Sequence, residues 1–150
     1  MMLDHARGYI GTSFQHQARA PGSKLDCVGV IVCAAKADGI DVEDFFAYGP
    51  EADPEELLRR LATFCDQVPV DARAPDDILA FWLVERSKPQ HVALYEGAGF
   101  MIHAYARPSR DGKVRREALA AAPGAQYARP WLHHLHSVHR VKPSCRKAVA

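Results

Sequence analysis

The sequence has almost no net charge. Nineteen Lys and Arg against 18 Asp and Glu leave +1 over 150 residues, which argues against strong nucleic-acid binding driven by phosphate neutralisation. No run approaches the roughly 18 unbroken apolar residues of a membrane span. The opening MMLDHARGYIGTSF lacks a basic segment leading into an apolar core. No signal peptide is therefore expected, and work outside the cytoplasm would need another carrier. No Cys-x-x-Cys pair occurs among Cys27, Cys33, Cys65 and Cys145, so the usual zinc-knuckle and thioredoxin patterns are missing. Nothing in the length or apolar content demands disulfides, and the expectation is four reduced thiols, mostly buried. Internal repeats, low-complexity tracts and domain linkers are missing too. What remains is one domain, residues 1–150, with 48% hydrophobic and 25% charged residues, ordinary for a globular chain and enough for a real core.

Two textures follow one another. Leu3 to Ile10 carries apolar residues at helical spacing. GTSFQHQARAPGSKLD then reads as a long loop with a turn at Pro21–Gly22, and loops of that length are uncommon unless they do something. Asp26 can cap a helix from Cys27 to about Ala37 that is apolar on most sides and hence buried, with Gly39 as its stop. Gly29 lets another backbone approach its first turn. DVEDFFAYGP is an aromatic-rich connector. DPEELLRRLATFCDQV, with Asp53 as cap and Pro54 at the first helical position, reads as a helix. After Pro75 the segments Asp77–Val84, His91–Gly97 and Phe100–Ala106 are short and rich in β-formers. GKVRREAL follows a turn at Asp111–Gly112 as a further strand, and HSVHRV is the last. Helices first and strands second imply α+β with N-terminal helices on a central antiparallel sheet of about five strands.

Three residues stand out chemically. QHVALYEGAGFMIHAYA folds back near Gly97–Gly99, which brings His91 and His103 to the same end of a hairpin. Contact between them then depends on register and facing. A cysteine at a helix start sits where the dipole favours the thiolate. A histidine within reach can take its proton and return it to a leaving amine, and a second polar group can fix that histidine's tautomer. Cys27, His91 and His103 can fill these roles. The same three side chains are also a possible zinc set, although their spacing fits no common zinc motif. The tail WLHHLHSVHR gathers His133, His134, His136 and His139, which can bind metal but reads as a partly exposed strand. Cys33, Cys65 and Cys145 read as structural or incidental.

In combination, GTSF…LDCVGVI, QHVALYEG and FMIHA resemble the three motifs of the NlpC/P60 cysteine peptidases, which have a papain-like fold. In that family an Asp-Cys-(Ser/Ala/Val)-Gly segment opens the nucleophile helix. A His-Val-x-(Ile/Leu)-Tyr-x-Gly strand holds the base, and an Ile-His-Ala segment holds the third residue. The resemblance spans Leu3 to Arg140. DDILAFW is similar to the family's Gly-Asp-led strand, with Asp76 in place of the glycine, and Trp131 to Arg140 is similar to its closing strand. FQHQAR looks most like the version in phage tail-associated peptidases and gene-transfer particles.

The resemblance implies hydrolysis of peptidoglycan stem peptides at the bond between D-γ-glutamate and a diamino acid. Cys27 would be the nucleophile, His91 the base and then the acid, and His103 its orienting partner. No metal or cofactor is implied. The Cys27 backbone N–H would be one oxyanion donor, with Asp26, His16 and Phe14 as neighbouring candidates for oxyanion or substrate contacts. One departure is Phe14, where many members have a tyrosine whose hydroxyl serves the oxyanion hole; His16, two residues on, can supply a donor instead. Expected partners are the peptidoglycan peptide and tail or particle proteins, with the virion or particle tail as location and the cell wall as place of action. The alternative is a structural particle component of the same fold without turnover. A relative acting on another amide or ester, such as a lipid acyltransferase, would want a membrane anchor or basic amphipathic helix, and neither is seen.

Overall fold

The computed structural model describes residues 1–46, 48, 53–107 and 110–147. Ala47, Gly49 and Pro50 of the aromatic-rich connector lie outside the described residues. Three helices, α1 (Met2–Tyr9), α2 (Cys27–Ala37) and α3 (Pro54–Ala62), precede most of the sheet. The main strands are β5 (Ile78–Trp82), β6 (Pro89–Gly97), β7 (Phe100–Arg107), β8 (Arg110–Ala118) and β9 (Leu135–Val141). These are the five strands read from the sequence, and they pair antiparallel.

Among the described residues the sheet is nevertheless larger than expected, with nine strands rather than about five, and it is mixed. The long loop supplies three two-residue strands, β1 (Ser13–Phe14), β2 (Arg19–Ala20) and β3 (Lys24–Leu25). β1 and β3 pair parallel, and β1 also joins β8. Segments of two residues carry no readable period, so only tertiary pairing makes them strands. The ninth, β4 (Cys65–Val68), was expected as the end of the third helix. Thr63 caps that helix instead, and Cys65 and Val68 pair opposite Val141 and Val138 of β9. The order across the sheet is β2-β3-β1-β8-β7-β6-β5-β9-β4.

Strand alternation separates two apolar layers. Ile78, Ala80, Val92, Leu94, Ile102 and Ala104 face the helices, together with most of the buried residues of α2. Leu79, Phe81, Ala93, Tyr95, Met101 and Val138 face the other way, around Trp131 and Leu119. Trp131 begins a 3-10 turn, Trp131–His134, just ahead of β9.

Several sequence signals have clear physical counterparts. Asp26 caps α2 by accepting from the Gly29 amide at 2.7 Å. Asp53 caps α3 and Pro54 stands in its first turn. Asp76, in the glycine place of the resembled pattern, has φ +80°, the left-handed region that glycine adopts without strain. Its carboxylate accepts from the Met2 and Leu3 amides at 3.2 and 2.8 Å and so caps α1. The turn expected at Asp111–Gly112 is overturned, since both residues lie inside β8. A Cβ on Gly112 would meet Phe14 Cβ at 2.7 Å and Ala106 Cβ at 2.8 Å, so the glycine is there for close packing rather than for turning.

Gly29 is the second such point. A Cβ there would lie 2.5 Å from the Ala18 carbonyl oxygen, so the loop backbone rests directly on the first turn of α2. Gly29→Ala gains about 1 kcal/mol of helix propensity in isolation. Here the clash with backbone is expected to outweigh it and give a net loss of about 1–3 kcal/mol in urea unfolding. Equal or higher stability would show that the loop is not seated on the helix.

Candidate active site

Cys27 is the first residue of α2 and is 8% exposed. It lines a cavity of about 160 Å³ together with His91, Phe14, Tyr48 and Tyr105. The cavity forms where two strands part. Registered pairs between β6 and β7 run from Gly97–Phe100 only as far as Leu94–Ile102. Beyond that, the backbone amides of Val92 and Val28 are near enough to the Cys27 sulfur to favour its thiolate.

His91 and His103 share one face of the sheet, and His91 Nε2 lies 2.7 Å from His103 Nδ1. Both rings are buried, at 3% and 0% exposure. The Trp131 ring stands 5.2 Å from each of them, and Phe81 and Tyr105 close the remaining sides. Histidines that hydrogen-bond each other do not converge their lone pairs on a common point, so this pair is not arranged as two ligands of one zinc ion. Among the described residues no group of three His, Cys, Asp or Glu could hold a metal. The tail histidines divide instead. His133 and His134 pack on Trp82, while His136 and His139 flank the Ser137 hydroxyl at 2.9 and 2.7 Å.

Asp26 is 1% exposed, and its carboxylate is fully used. Oδ1 accepts from Gly29 N at 2.7 Å and Arg19 Nη1 at 2.9 Å. Oδ2 accepts from Gln17 N at 2.6 Å and from the Tyr48 hydroxyl. Four donors fill the directions a carboxylate offers, so Asp26 forms the back wall of the cavity rather than a free contact for substrate. Arg19 in turn donates to Asp44 at 3.0 Å, to the Phe45 carbonyl at 2.9 Å and to Tyr48 Oη at 2.8 Å. Phe14 is part of the cavity lining. His16 stands at the mouth, 56% exposed, with Nδ1 4.0 Å from Asp26 Oδ2 and its ring edge-on to Tyr48. Tyr48 lines the cavity as well, but its hydroxyl proton is given to Asp26 and its oxygen accepts from Arg19.

The electrostatics reverse one expectation. Burial first, and then the Asp26 carboxylate beside it, push the Cys27 thiol up to about 12, against the pull of the Val92 and Val28 amides. Burial, and then His103, hold His91 well below the usual imidazole range. The resting pair is therefore a neutral thiol and a neutral imidazole, not the helix-activated thiolate read from the sequence. Such a pair can generate its nucleophile only as the proton moves to the imidazole during attack.

Four residues of the site were not singled out in the sequence. Tyr48 and Arg19 bind Asp26, Trp131 packs on both imidazoles, and Glu117 on β8 lies 3.2 Å from His103 Nε2 through Oε2. Glu117 carried a weak signal. It stands opposite Met101 in the β7–β8 register and is only 9% exposed, and an acid on the inner side of a strand is unusual.

The structure resembles solved proteins over nearly its whole length. An NLP/P60-family protein similar to a lipoprotein, from Staphylococcus aureus subsp. aureus Mu50, superposes with a TM-score of 0.65 at 18% identity, covering 93% of this chain and 40% of that one. An NlpC/P60 family protein from Bacillus cereus ATCC 10987 gives 0.68 at 20% identity, covering 95% and 39%. The fold is that of the NlpC/P60 proteins. The NlpC/p60 domain of the peptidoglycan hydrolase SagA matches at a TM-score of 0.57 and 19% identity, covering 94% of this chain and 95% of that domain. This chain thus spans about two fifths of the length of those two larger proteins. The sequence itself matches no protein-family model and no curated protein.

Alkylation tests the neutral pair. With a thiol near 12, the thiolate fraction rises tenfold per pH unit, so iodoacetamide modification of Cys27, followed by peptide mass spectrometry, should climb steadily from about pH 6 to about pH 9. A flat rate across that range would mean a preformed thiolate–imidazolium pair and would contradict the electrostatics above.

Proposed function

We propose that this chain is a cysteine endopeptidase that hydrolyses peptidoglycan stem peptides, at the bond between D-γ-glutamate and a diamino acid. The observation that carries the reading is the placement of Cys27, at a helix start, in one cavity with a histidine whose far nitrogen is bonded to a second histidine. The motif resemblance and the shared fold with SagA's NlpC/p60 domain, which belongs to a peptidoglycan hydrolase, supply the substrate class.

In this mechanism His91 Nδ1 takes the thiol proton as the Cys27 sulfur attacks the amide carbonyl carbon. The carbonyl oxygen becomes an oxyanion facing the Cys27 backbone N–H, a contact worth about 2.7–4 kcal/mol in analogous sites. Collapse breaks the C–N bond. His91 passes its proton to the departing amine, leaving a thioester on Cys27. Water, deprotonated by His91, then attacks the thioester, which releases the acid and restores the thiol. Tyr48 stays protonated, because burial and its bond to Asp26 raise its hydroxyl far above the ordinary range. That one O–H is given to Asp26, which leaves His16 at the mouth as the polar substitute for the donor missing at Phe14.

Delivery by a phage-type particle tail is the second part of the proposal and rests on the likeness of FQHQAR to tail-associated peptidases. Recovery of the protein with purified particles supports it, and particles free of the protein sink it.

Digestion of purified peptidoglycan by the wild type and by Cys27→Ala, with products identified by mass spectrometry, tests the activity. The wild type should release fragments with a new D-glutamate end, and the variant should lose at least about 10³-fold in rate. Cleavage by both proteins would remove Cys27 as nucleophile. Cleavage by neither would point to a particle component without turnover.

A further inference from the structure

We infer that Glu117 is a positioning residue that sets the tautomers of both histidines, leaving a bare Nδ1 on His91 to receive the thiol proton; this rests on the cysteine-peptidase reading above. Two neutral imidazoles joined Nε2 to Nδ1 can pair in two ways. If His91 donates from Nε2, its Nδ1 carries a lone pair and can act as a base. If His103 donates from Nδ1, the His91 proton sits on Nδ1 and the ring cannot accept one from the thiol. The His91–His103 contact at 2.7 Å is the same in both cases and selects neither.

Selection comes from the far end of the chain. An ionised carboxylate only accepts, and an indole N–H only donates. Trp131 Nε1 donates to Glu117 Oε1 at 3.0 Å, and Glu117 Oε2 lies 3.2 Å from His103 Nε2. The His103 proton is therefore drawn to Nε2. Its Nδ1 becomes an acceptor, and the His91 proton is drawn to Nε2. Trp131 and His103 are fully buried, and Glu117 is 9% exposed, so the carboxylate is held in place by packing. When His91 Nδ1 takes the thiol proton, every bond along His91, His103 and Glu117 keeps its direction and no ring has to turn. A buried triad carboxylate orients its histidine by the same logic; here it acts through an intervening imidazole.

Glu117→Gln separates this role from mere packing. The amide has one accepting oxygen and one donating NH2, and Trp131 claims the oxygen. The NH2 then faces His103 Nε2 and reverses both tautomers, which puts the His91 proton on Nδ1. The experiment is long-range proton–nitrogen NMR on the full chain with 15N-labelled histidine, in mildly alkaline buffer without substrate, beside steady-state kinetics. Expected in the wild type is His91 protonated on Nε2 and bare on Nδ1. Expected in Glu117→Gln is the reverse, with kcat lowered about 10²- to 10⁴-fold and KM little changed. Adding Trp131→Phe to Glu117→Gln frees the amide oxygen for His103 and should restore the wild-type tautomers.

A wild type with its His91 proton on Nδ1, or a folded Glu117→Gln with unchanged tautomers, overturns the inference. If Glu117→Gln does not fold, the wild-type spectrum decides alone. Failure of the peptidase reading would appear separately, as cleavage by Cys27→Ala, while the tautomers would still be readable.

Discussion

The Asp26 carboxylate is the constraint on which the rest of the site depends. It is buried one residue before Cys27 and accepts from Gly29, Gln17, Arg19 and Tyr48 at once. Those donors come from the first turn of α2, from the loop after β1 together with β2, and from the segment after α2. A single anion therefore gathers three stretches of chain that share little secondary structure. Arg19 answers its charge from 2.9 Å while 15% exposed. Removing one partner of such a buried pair strands the other and costs about 3–5 kcal/mol. The Ala18 carbonyl, lying where any side chain larger than hydrogen at Gly29 would clash, completes the seat. The helix start that presents Cys27 is fixed by this junction as well as by helix geometry.

The same junction has a chemical consequence. An anion beside a buried thiol opposes the thiolate, and here it acts with desolvation to keep Cys27 neutral. Burial keeps His91 neutral too. A site built this way has no standing ion pair to exploit, so it depends on a well-directed base. That is the demand met by the line from His91 through His103 to Glu117, which lies on the other apolar face of the sheet and is walled by Trp131 and Phe81. In the proposed mechanism one side of the cavity carries the nucleophile, Cys27, and the other the base, His91.

Much of this was legible in the sequence because it rests on local signals. Asp26 as a cap, Pro54 in the first turn of α3, and the five long strands follow from capping chemistry and strand composition. That His91 and His103 reach the same end of the sheet followed from a hairpin turning at Gly97–Gly99, whereas their hydrogen bond, which depends on register and facing, did not. What was not legible depends on long-range register. The two-residue strands of the loop exist only through their partners, and Cys65–Val68 is a strand because β9 lies beside it. Asp111–Gly112 resembled a turn, yet the glycine serves Phe14 and Ala106 across the sheet. Glu117 lies 14 residues beyond His103, Tyr48 22 beyond Asp26, and Trp131 a further 14 beyond Glu117, and no spacing rule connects them. The thiol was misjudged because helix position is visible in a sequence, whereas burial beside a carboxylate is not.

The central claim is that Cys27 forms a covalent acyl intermediate with a stem peptide. The most direct measurement is rapid acid quenching of the protein during turnover of a soluble muropeptide, followed by peptide mapping by mass spectrometry. The expected result is an acyl group on Cys27 that hydroxylamine removes, as a thioester requires. Turnover with the acyl group on another side chain, or with no acylated protein under conditions that trap a known thioester control, would contradict it.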